Sequence, residues 1–295
     1  RPMISQQKVL TNKSNITPSL APSAEQCAPA DMIAFLAGLT LVSRPIIAKW
    51  FRQSPTIETK VDASPVTVAD RSVETALRAA IAKRFPADTI TGEEFGPDDR
   101  CDPSKDRNSS YRWVIDPIDG TKSFISGKPA FGTLVGLLCN DLPVAGLVDM
   151  PVLDECYIGL NGFGAATVAQ LNGAIIAPNG QTQLANARLA TTSPRALSPA
   201  RLLDFDRLAD EVAVTNYGGD CHNYALLAAG HIDLVMEDSL ATHDIMAVAA
   251  LMLSAGAIVT DFSGQPIRDG GSTDILAAAN SQLHQAALYV ISQGS

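Results

Sequence analysis

Between residues 89 and 158 the apolar side chains come in short runs, at 89–91, 113–115, 133–138, 144–148 and 156–158, each bounded by Gly, Pro or Asp. Runs of this length suit strands and are too short for ordinary helices. Asn172-Gly173, between apolar residues 166–168 and 175–176, is a hairpin signal, because both central residues of that turn need positive φ. Two helical patterns come earlier. Asp31 can cap a helix whose apolar positions Ile33, Leu36, Leu39, Leu41 and Ile46 run towards Phe51. Val73, Leu77, Ala80 and Ile81 space a second over 69–85, ended by Pro86.

Beyond residue 185 the pattern alternates, with strands expected at 188–191, 213–215, 232–236, 257–260 and 275–278. Helices are expected at 199–208, 222–229, 244–255 and from Asn280 onward, the third stopped by Gly256. This order predicts an α+β fold, helices sandwiching two sheets. The reading gives an N-terminal half, 29–185, mainly antiparallel, and a C-terminal half, 186–295, that alternates. Residues 1–28 are rich in Ser, Thr, Asn, Gln and Pro, lack either period, and read as a disordered tail. An acidic-poor start also fits an organelle transit peptide, for which three basic residues are few.

The chain has 295 residues, 46% of them hydrophobic and 18% charged, enough apolar material for a sizeable core. A net charge of -9 speaks against nucleic acid or an anionic membrane as partner. An anionic substrate would need a local positive charge, which a bound cation could supply. Five scattered cysteines without C-x-x-C indicate neither a disulfide framework nor a zinc ribbon. The apolar stretch 32–50 is interrupted by Ser43, Arg44, Pro45 and Lys49, so no membrane span is expected. A soluble, cytoplasmic protein is the resulting expectation.

The chemistry concentrates in Trp113-Val114-Ile115-Asp116-Pro117-Ile118-Asp119-Gly120-Thr121. A short buried strand delivers Asp116 to its end, and Pro117 removes an N–H and fixes φ, so the chain turns there. Asp116 and Asp119 can then converge while the Ile118 carbonyl offers a neutral oxygen. Gly120 allows close backbone approach, and the N–H groups of Gly120 and Thr121 could cradle an anion. A solvated turn after a strand is the plainer alternative. Glu93 and Glu94 follow another strand end, Glu94 reading as a solvent-facing neighbour, and Asp244 opens an apolar helix that it could simply cap. Converging carboxylates repel one another unless a hard cation such as Mg²⁺ neutralises them.

Glu93, Asp116-Pro117-Ile118-Asp119-Gly120-Thr121, and Asp244 before a helix ending Ser254-Ala255-Gly256-Ala257 resemble the inositol-monophosphatase-like, metal-dependent, lithium-sensitive phosphatases. The resemblance covers about residues 30 to 290. It implies a layered α-β-α-β-α sandwich and two or three Mg²⁺ ions. Glu93, Asp116 and the Ile118 carbonyl would hold the first ion; Asp116, Asp119 and Asp244 the second; Glu93 would share any third. Ser64-Pro65-Val66-Thr67-Val68-Ala69-Asp70 matches the family's upstream segment, which implies that Asp70 pairs with Thr121 to orient a metal-activated water for attack on phosphorus. A homodimer is also implied.

The stretches Phe124-Ile125-Ser126-Gly127-Lys128-Pro129-Ala130-Phe131-Gly132-Thr133-Leu134-Val135, Asp149-Met150-Pro151-Val152-Leu153, and Tyr217 through Gly230 look like the histidinol-phosphate phosphatase branch. One departure is His243, where many relatives carry Trp before the metal-binding aspartate. Histidinol phosphate carries an ammonium and an imidazole, so its pocket should present carboxylates. Asp220, with Asn223, and Glu237 are the candidates; a helix N-cap and a strand-end surface residue are the plainer readings of Asp220 and Glu237. An inositol-1-monophosphatase or broad sugar-phosphate phosphatase is the alternative enzyme. A non-catalytic scaffold fits poorly, since Asp70, Glu93, Asp116, Asp119, Thr121 and Asp244 are all present.

Overall fold

The computed structural model describes residues 22–53, 57–59, 65–98 and 110–293. Helix α1 (Pro29–Trp50) leads to a small hairpin of β1 (Ile57–Thr59) and β2 (Pro65–Thr67), then helix α2 (Val68–Arg84). A larger sheet is built from β3 (Thr89–Gly92), β4 (Gly96–Pro97), β5 (Tyr111–Asp119), β6 (Gly132–Cys139), β7 (Leu142–Met150), β8 (Glu155–Phe163), β9 (Ala166–Leu171) and β10 (Ala174–Ile175), with the short helix α3 (Thr121–Ile125) after β5. Its spatial order is β10-β9-β8-β7-β6-β5-β3-β4, antiparallel except for the β3–β5 pair. A smaller sheet follows from β11 (Arg188–Thr191), α4 (Pro199–Asp210), β12 (Val214–Tyr217), α5 (Cys221–Ala228), β13 (Leu234–Glu237), α6 (Thr242–Ala255), β14 (Ile258–Thr260), β15 (Ile275–Ala278) and α7 (Ser281–Ser292). Its order is β12-β11-β13-β15-β14, parallel on one side of β13 and antiparallel on the other.

Three apolar clusters give the layers. Leu36, Leu39, Val73 and Leu77 of α1 and α2 pack on Trp113, Val135 and Leu147 of the larger sheet. Tyr224, Leu227, Ile245 and Val248 of α5 and α6 fill the space between the two sheets. Phe205, Leu208, Leu283 and Ile291 of α4 and α7 cover the far side of the smaller sheet. The expected α-β-α-β-α sandwich is therefore the fold. Helix α6 follows the smaller sheet's strand β13 in sequence but packs on β6, β7 and β8 of the larger one, so the central core belongs to both halves.

That contact has a compositional cause. Gly136, Gly146 and Gly159 stand side by side in register across β6, β7 and β8. A Cβ at Gly146 would come 2.2 Å from the Ala247 carbonyl oxygen, and one at Gly159 2.2 Å from the Ser254 hydroxyl. The glycine row meets the small face of α6, so helix and sheet backbones touch and α6 is fixed in depth and register.

Several boundaries differ from the sequence reading. Of the expected tail, residues 1–21 lie outside the described residues; within the rest, Ser23, Ala24 and Cys27 are buried and the chain is ordered. The Ala24 N–H donates to Asp88 Oδ2 at 3.0 Å, and the Ala87 N–H to the Pro22 carbonyl. These long-range bonds were invisible to a period search. Helix α1 starts at Pro29, with Asp31 inside its first turn rather than capping it, because proline is preset for the first helical position. At 22 residues α1 is long and apolar enough to cross a membrane by composition. Its Met32, Leu36, Leu39 and Ile47 are nevertheless buried in the core, and Arg44 bonds the buried Asp149 of β7 at 2.7 Å. The hairpin turn forms as expected, Asn172 and Gly173 at φ 48° and 84°.

Candidate active site

Strand β5 does not end at Asp116 as expected. It runs on to Asp119 across a bulge: Asp116 faces Leu134, whereas Asp119 faces Gly132, so Pro117 and Ile118 both oppose Thr133. Proline is tolerated at such a bulge because it has no N–H for the ladder. The Thr133 hydroxyl donates to the Pro117 carbonyl at 2.9 Å, and the Ile118 N–H to Asp116 Oδ1 at 3.1 Å. The bulge brings Asp116 and Asp119 together on one side.

Helix α6 supplies Asp244 at its third position, its Oδ2 accepting the Ala241 N–H at 2.8 Å. Oxygens of Asp116, Asp119 and Asp244 lie within 4.8 Å of one another. Oxygens of Glu93 and Asp116 lie within the same distance of a ring nitrogen of His243. Glu93 is presented by the turn after β3, where its N–H donates to the Ile115 carbonyl. That turn is held by Glu74, a buried α2 carboxylate that the sequence reading passed over: it accepts the Glu94 N–H at 2.7 Å and the Phe95 N–H at 3.3 Å, and pairs with Arg78. Gly92 leaves room for it: a Cβ there would meet Glu74 Oε1 at 2.0 Å and displace the carboxylate from the turn. Glu94 is not solvent-facing as expected; its side chain is 2% exposed, with Arg71 at 3.6 Å.

Burial, and then the charges of Glu93, Asp119, Asp244 and Asp70, hold the Asp116 carboxyl well above its usual range. Burial and the neighbouring Asp220 and Asp244 do the same to Asp119, partly opposed by the Cys221 N–H that donates to it at 2.6 Å. Carboxylates packed this tightly ionise together only with a cation among them. The donor set, hard oxygens with one imidazole, fits a divalent metal.

The other expected residues fall in two groups. Asp70, in the first turn of α2, is buried and close enough to raise the Asp116 carboxyl. The Thr121 hydroxyl donates to the Ile118 carbonyl at 3.1 Å instead of to Asp70, as befits a residue opening a helix and reaching back one turn. Gly120, at φ 84°, precedes it; a Cβ there would meet the Ala130 carbonyl and Asp220 Oδ2, each at 3.0 Å. Asp220 occupies the N-cap position of α5 without capping it: the His222 and Asn223 N–H groups that a cap would accept donate to the Gly219 and Asp220 carbonyls, while Asp119 takes the Cys221 N–H. Asp220 accepts from the Ser123 hydroxyl at 3.3 Å instead.

Beside the acidic cluster lies a cavity of about 180 Å³ whose walls include Asp119, Asp220, Glu237, Asp238, Asp244 and Tyr224. Glu237 is buried, not a surface residue, and accepts the Thr192 N–H and hydroxyl at 2.7 and 2.6 Å. Burial, eased by those Thr192 bonds, leaves its pKa raised to about 7. Asn223, expected beside Asp220 in the substrate set, stands apart from this cavity. Its side chain turns to the Gly218 carbonyl at 2.8 Å, bracing the loop before α5, and is no part of the cavity wall.

Comparison with known proteins agrees with this geometry. The chain is 42% identical over 253 residues to the bifunctional phosphatase IMPL2, chloroplastic, of Arabidopsis thaliana, covering 83% of this chain and 70% of that protein. It is 32% identical over 242 residues to a histidinol-phosphatase of Mycobacterium tuberculosis, covering 81% and 88%. An inositol monophosphatase from Zymomonas mobilis superposes with a TM-score of 0.78 at 36% identity, covering 90% of this chain and all of the other. Residues 29–294 match the inositol monophosphatase family as a whole, so the chain belongs to that family of metal-dependent phosphatases.

Proposed function

We propose that the protein hydrolyses L-histidinol phosphate to L-histidinol and phosphate. The observation that carries this reading is the cavity beside the metal cluster: it is lined by carboxylates, and among its described lining residues none is Lys, Arg or His. Asp119 and Asp244 belong to the metal cluster, and Asp238 is engaged by Ser198. Both Asp238 oxygens accept from Ser198, whereas Asp220 accepts from Ser123 on Oδ2 and Glu237 from Thr192 on Oε1, which leaves each a second oxygen to face a cationic organic group, which histidinol has and inositol lacks. Similarity to proteins named histidinol-phosphatase supports the same substrate.

Asp116, Asp119, Asp244 and Glu93, with the Ile118 carbonyl, would hold two or three Mg²⁺ ions. Such ions neutralise the phosphate, lower the pKa of water and stabilise the leaving oxygen. The protein's share is positioning. The bulge fixes the two aspartates of β5, the N–H groups of Gly120 and Thr121 cradle phosphate oxygens, and Asp70 directs the attacking water together with a Thr121 hydroxyl that turns to it from the Ile118 carbonyl. Homodimer formation belongs to the same proposal and rests on membership of the family; light scattering tests it.

The second reading, an inositol-phosphate or broad sugar-phosphate phosphatase, is favoured by the likeness to the Zymomonas structure. Phosphate release with Mg²⁺ separates the two. A kcat/KM preference of about a hundredfold for L-histidinol phosphate over inositol 1-phosphate, worth roughly 2.7 kcal/mol, is expected. Equal rates or the reverse preference would assign the protein to the second reading. Asp220→Ala and Glu237→Ala should raise KM for histidinol phosphate and spare a small aryl phosphate; equal loss on both would remove these residues from substrate recognition.

A further inference from the structure

His243 and Asp244 are the second and third residues of α6. Neighbours on a helix project about 100° apart, so the two side chains leave one turn towards different sides of Asp116. A His243 ring nitrogen joins Glu93 and Asp116, whereas an Asp244 oxygen joins Asp116 and Asp119, each group within 4.8 Å. Asp116 is common to both. The His243 Nε2 is 3.6 Å from Asp244 Oδ1, beyond a hydrogen bond, and its side chain is 26% exposed, so no tight bond ties the ring to its neighbour. Donors around a small divalent ion stand about 3 to 4 Å apart, for bond lengths of about 2.1 Å; a small side-chain adjustment closes the group. The backbone of α6 is meanwhile held against the glycine row of the larger sheet.

We propose that His243 is a direct ligand of the ion shared by Glu93 and Asp116, giving that position a mixed nitrogen and oxygen donor set that favours a transition-metal ion such as Mn²⁺ over Mg²⁺. The proposal rests on the reading of this carboxylate cluster as the metal centre and goes beyond it in naming a nitrogen ligand and a metal preference. Imidazole suits transition metals, whereas Mg²⁺ takes oxygen donors almost throughout. The position Asp116 shares with Asp119 and Asp244 has oxygen donors alone, so the two positions would differ in preference.

The test uses the full chain stripped of metal and titrated with Mn²⁺. Pulsed electron paramagnetic resonance reads ¹⁴N coupling from directly bound imidazole, and competition with Mg²⁺ gives the affinity ratio. The wild type should show ¹⁴N coupling that His243→Phe and His243→Gln both lose, with the Mn²⁺ to Mg²⁺ affinity ratio falling by about tenfold or more. Circular dichroism of each variant establishes that it is folded, and agreement between two variants of different polarity excludes a packing effect. Bound Mn²⁺ without ¹⁴N coupling, coupling that survives both substitutions, or an unchanged affinity ratio would each overturn the proposal while leaving the metal centre standing. Failure of the wild type to bind Mn²⁺ at all would overturn both.

Discussion

Gly146 on β7 lies so close to Ala247 on α6 that a Cβ at position 146 would stand 2.2 Å from the Ala247 carbonyl oxygen. Ala247 is one turn below Asp244 on the same helix, so the glycine that allows this contact also sets the height at which Asp244 meets Asp116 and Asp119. Gly146→Ala should lower stability by about 1 to 3 kcal/mol through overpacking and reduce kcat on any phosphate ester by displacing Asp244. Urea unfolding and aryl phosphate kinetics check both. A destabilised variant with unaltered kcat would show that α6 can shift without moving the ligand.

Glu74 acts one step behind Glu93. Its two oxygens accept from the turn that carries Glu93, and Arg78 balances its charge. Glu74→Gln keeps the shape but turns one acceptor into a donor facing an N–H. Loss of such an outer partner typically costs about 10–100-fold in metal affinity or activity. The expected outcome is a higher Mg²⁺ concentration for half-maximal rate, with kcat largely restored at saturating metal. An unchanged metal requirement would show that Glu93 holds its place without Glu74.

The layered fold was legible in the sequence because strand-length runs and helical periods alternate cleanly, and because Asn172-Gly173 and Gly256 mark a turn and a helix end. The docking of residues 22–28 was not, since it depends on Asp88, more than 60 positions from Ala24. Asp116, Asp119, Glu93 and Asp244 could be named from their places at element ends. Glu74 and the glycine row could not: a buried carboxylate within a helix reads as a solvated face, and three glycines on different strands form a row only once register is known. The bracing of the loop before α5 by Asn223 is equally illegible, because that loop bends through positive φ at Gly218, Gly219 and Asp220.

Asp116→Asn separates folding from function. The carboxyl is held above its usual range by burial and by four surrounding acidic residues, so removing its charge should raise the melting temperature of the metal-free protein. Asparagine can still accept the Ile118 N–H on Oδ1. Mg²⁺ at a hundred times its dissociation constant should stabilise the wild type by about 2.7 kcal/mol and the variant hardly at all, and phosphate release should fall by more than the 10–100-fold typical of outer partners. Calorimetry with and without Mg²⁺ reads the first two effects. A variant that still gains stability from Mg²⁺ would remove Asp116 from the metal site.

Glu237 gives a pH dependence with a definite sign. Burial raises its pKa in the folded protein from 4.5 to about 7, so between those values the folded chain keeps a proton that the unfolded chain has lost. Stability must then fall as pH rises through this window, the cost being absent below about 4.5 and complete above 7. Its full size is of order 3 kcal/mol. Glu237→Gln retains an oxygen for the Thr192 N–H and hydroxyl and carries no charge. In metal-free, ligand-free protein the variant should match the wild type near pH 4.5 and exceed it in melting temperature by pH 8. A bound ammonium would offset the same cost in the wild type, so histidinol should raise the wild-type melting temperature more at pH 8 than at pH 5 and lose that difference in the variant. Parallel melting curves for the two proteins across the range would place the ionisation of Glu237 outside this window.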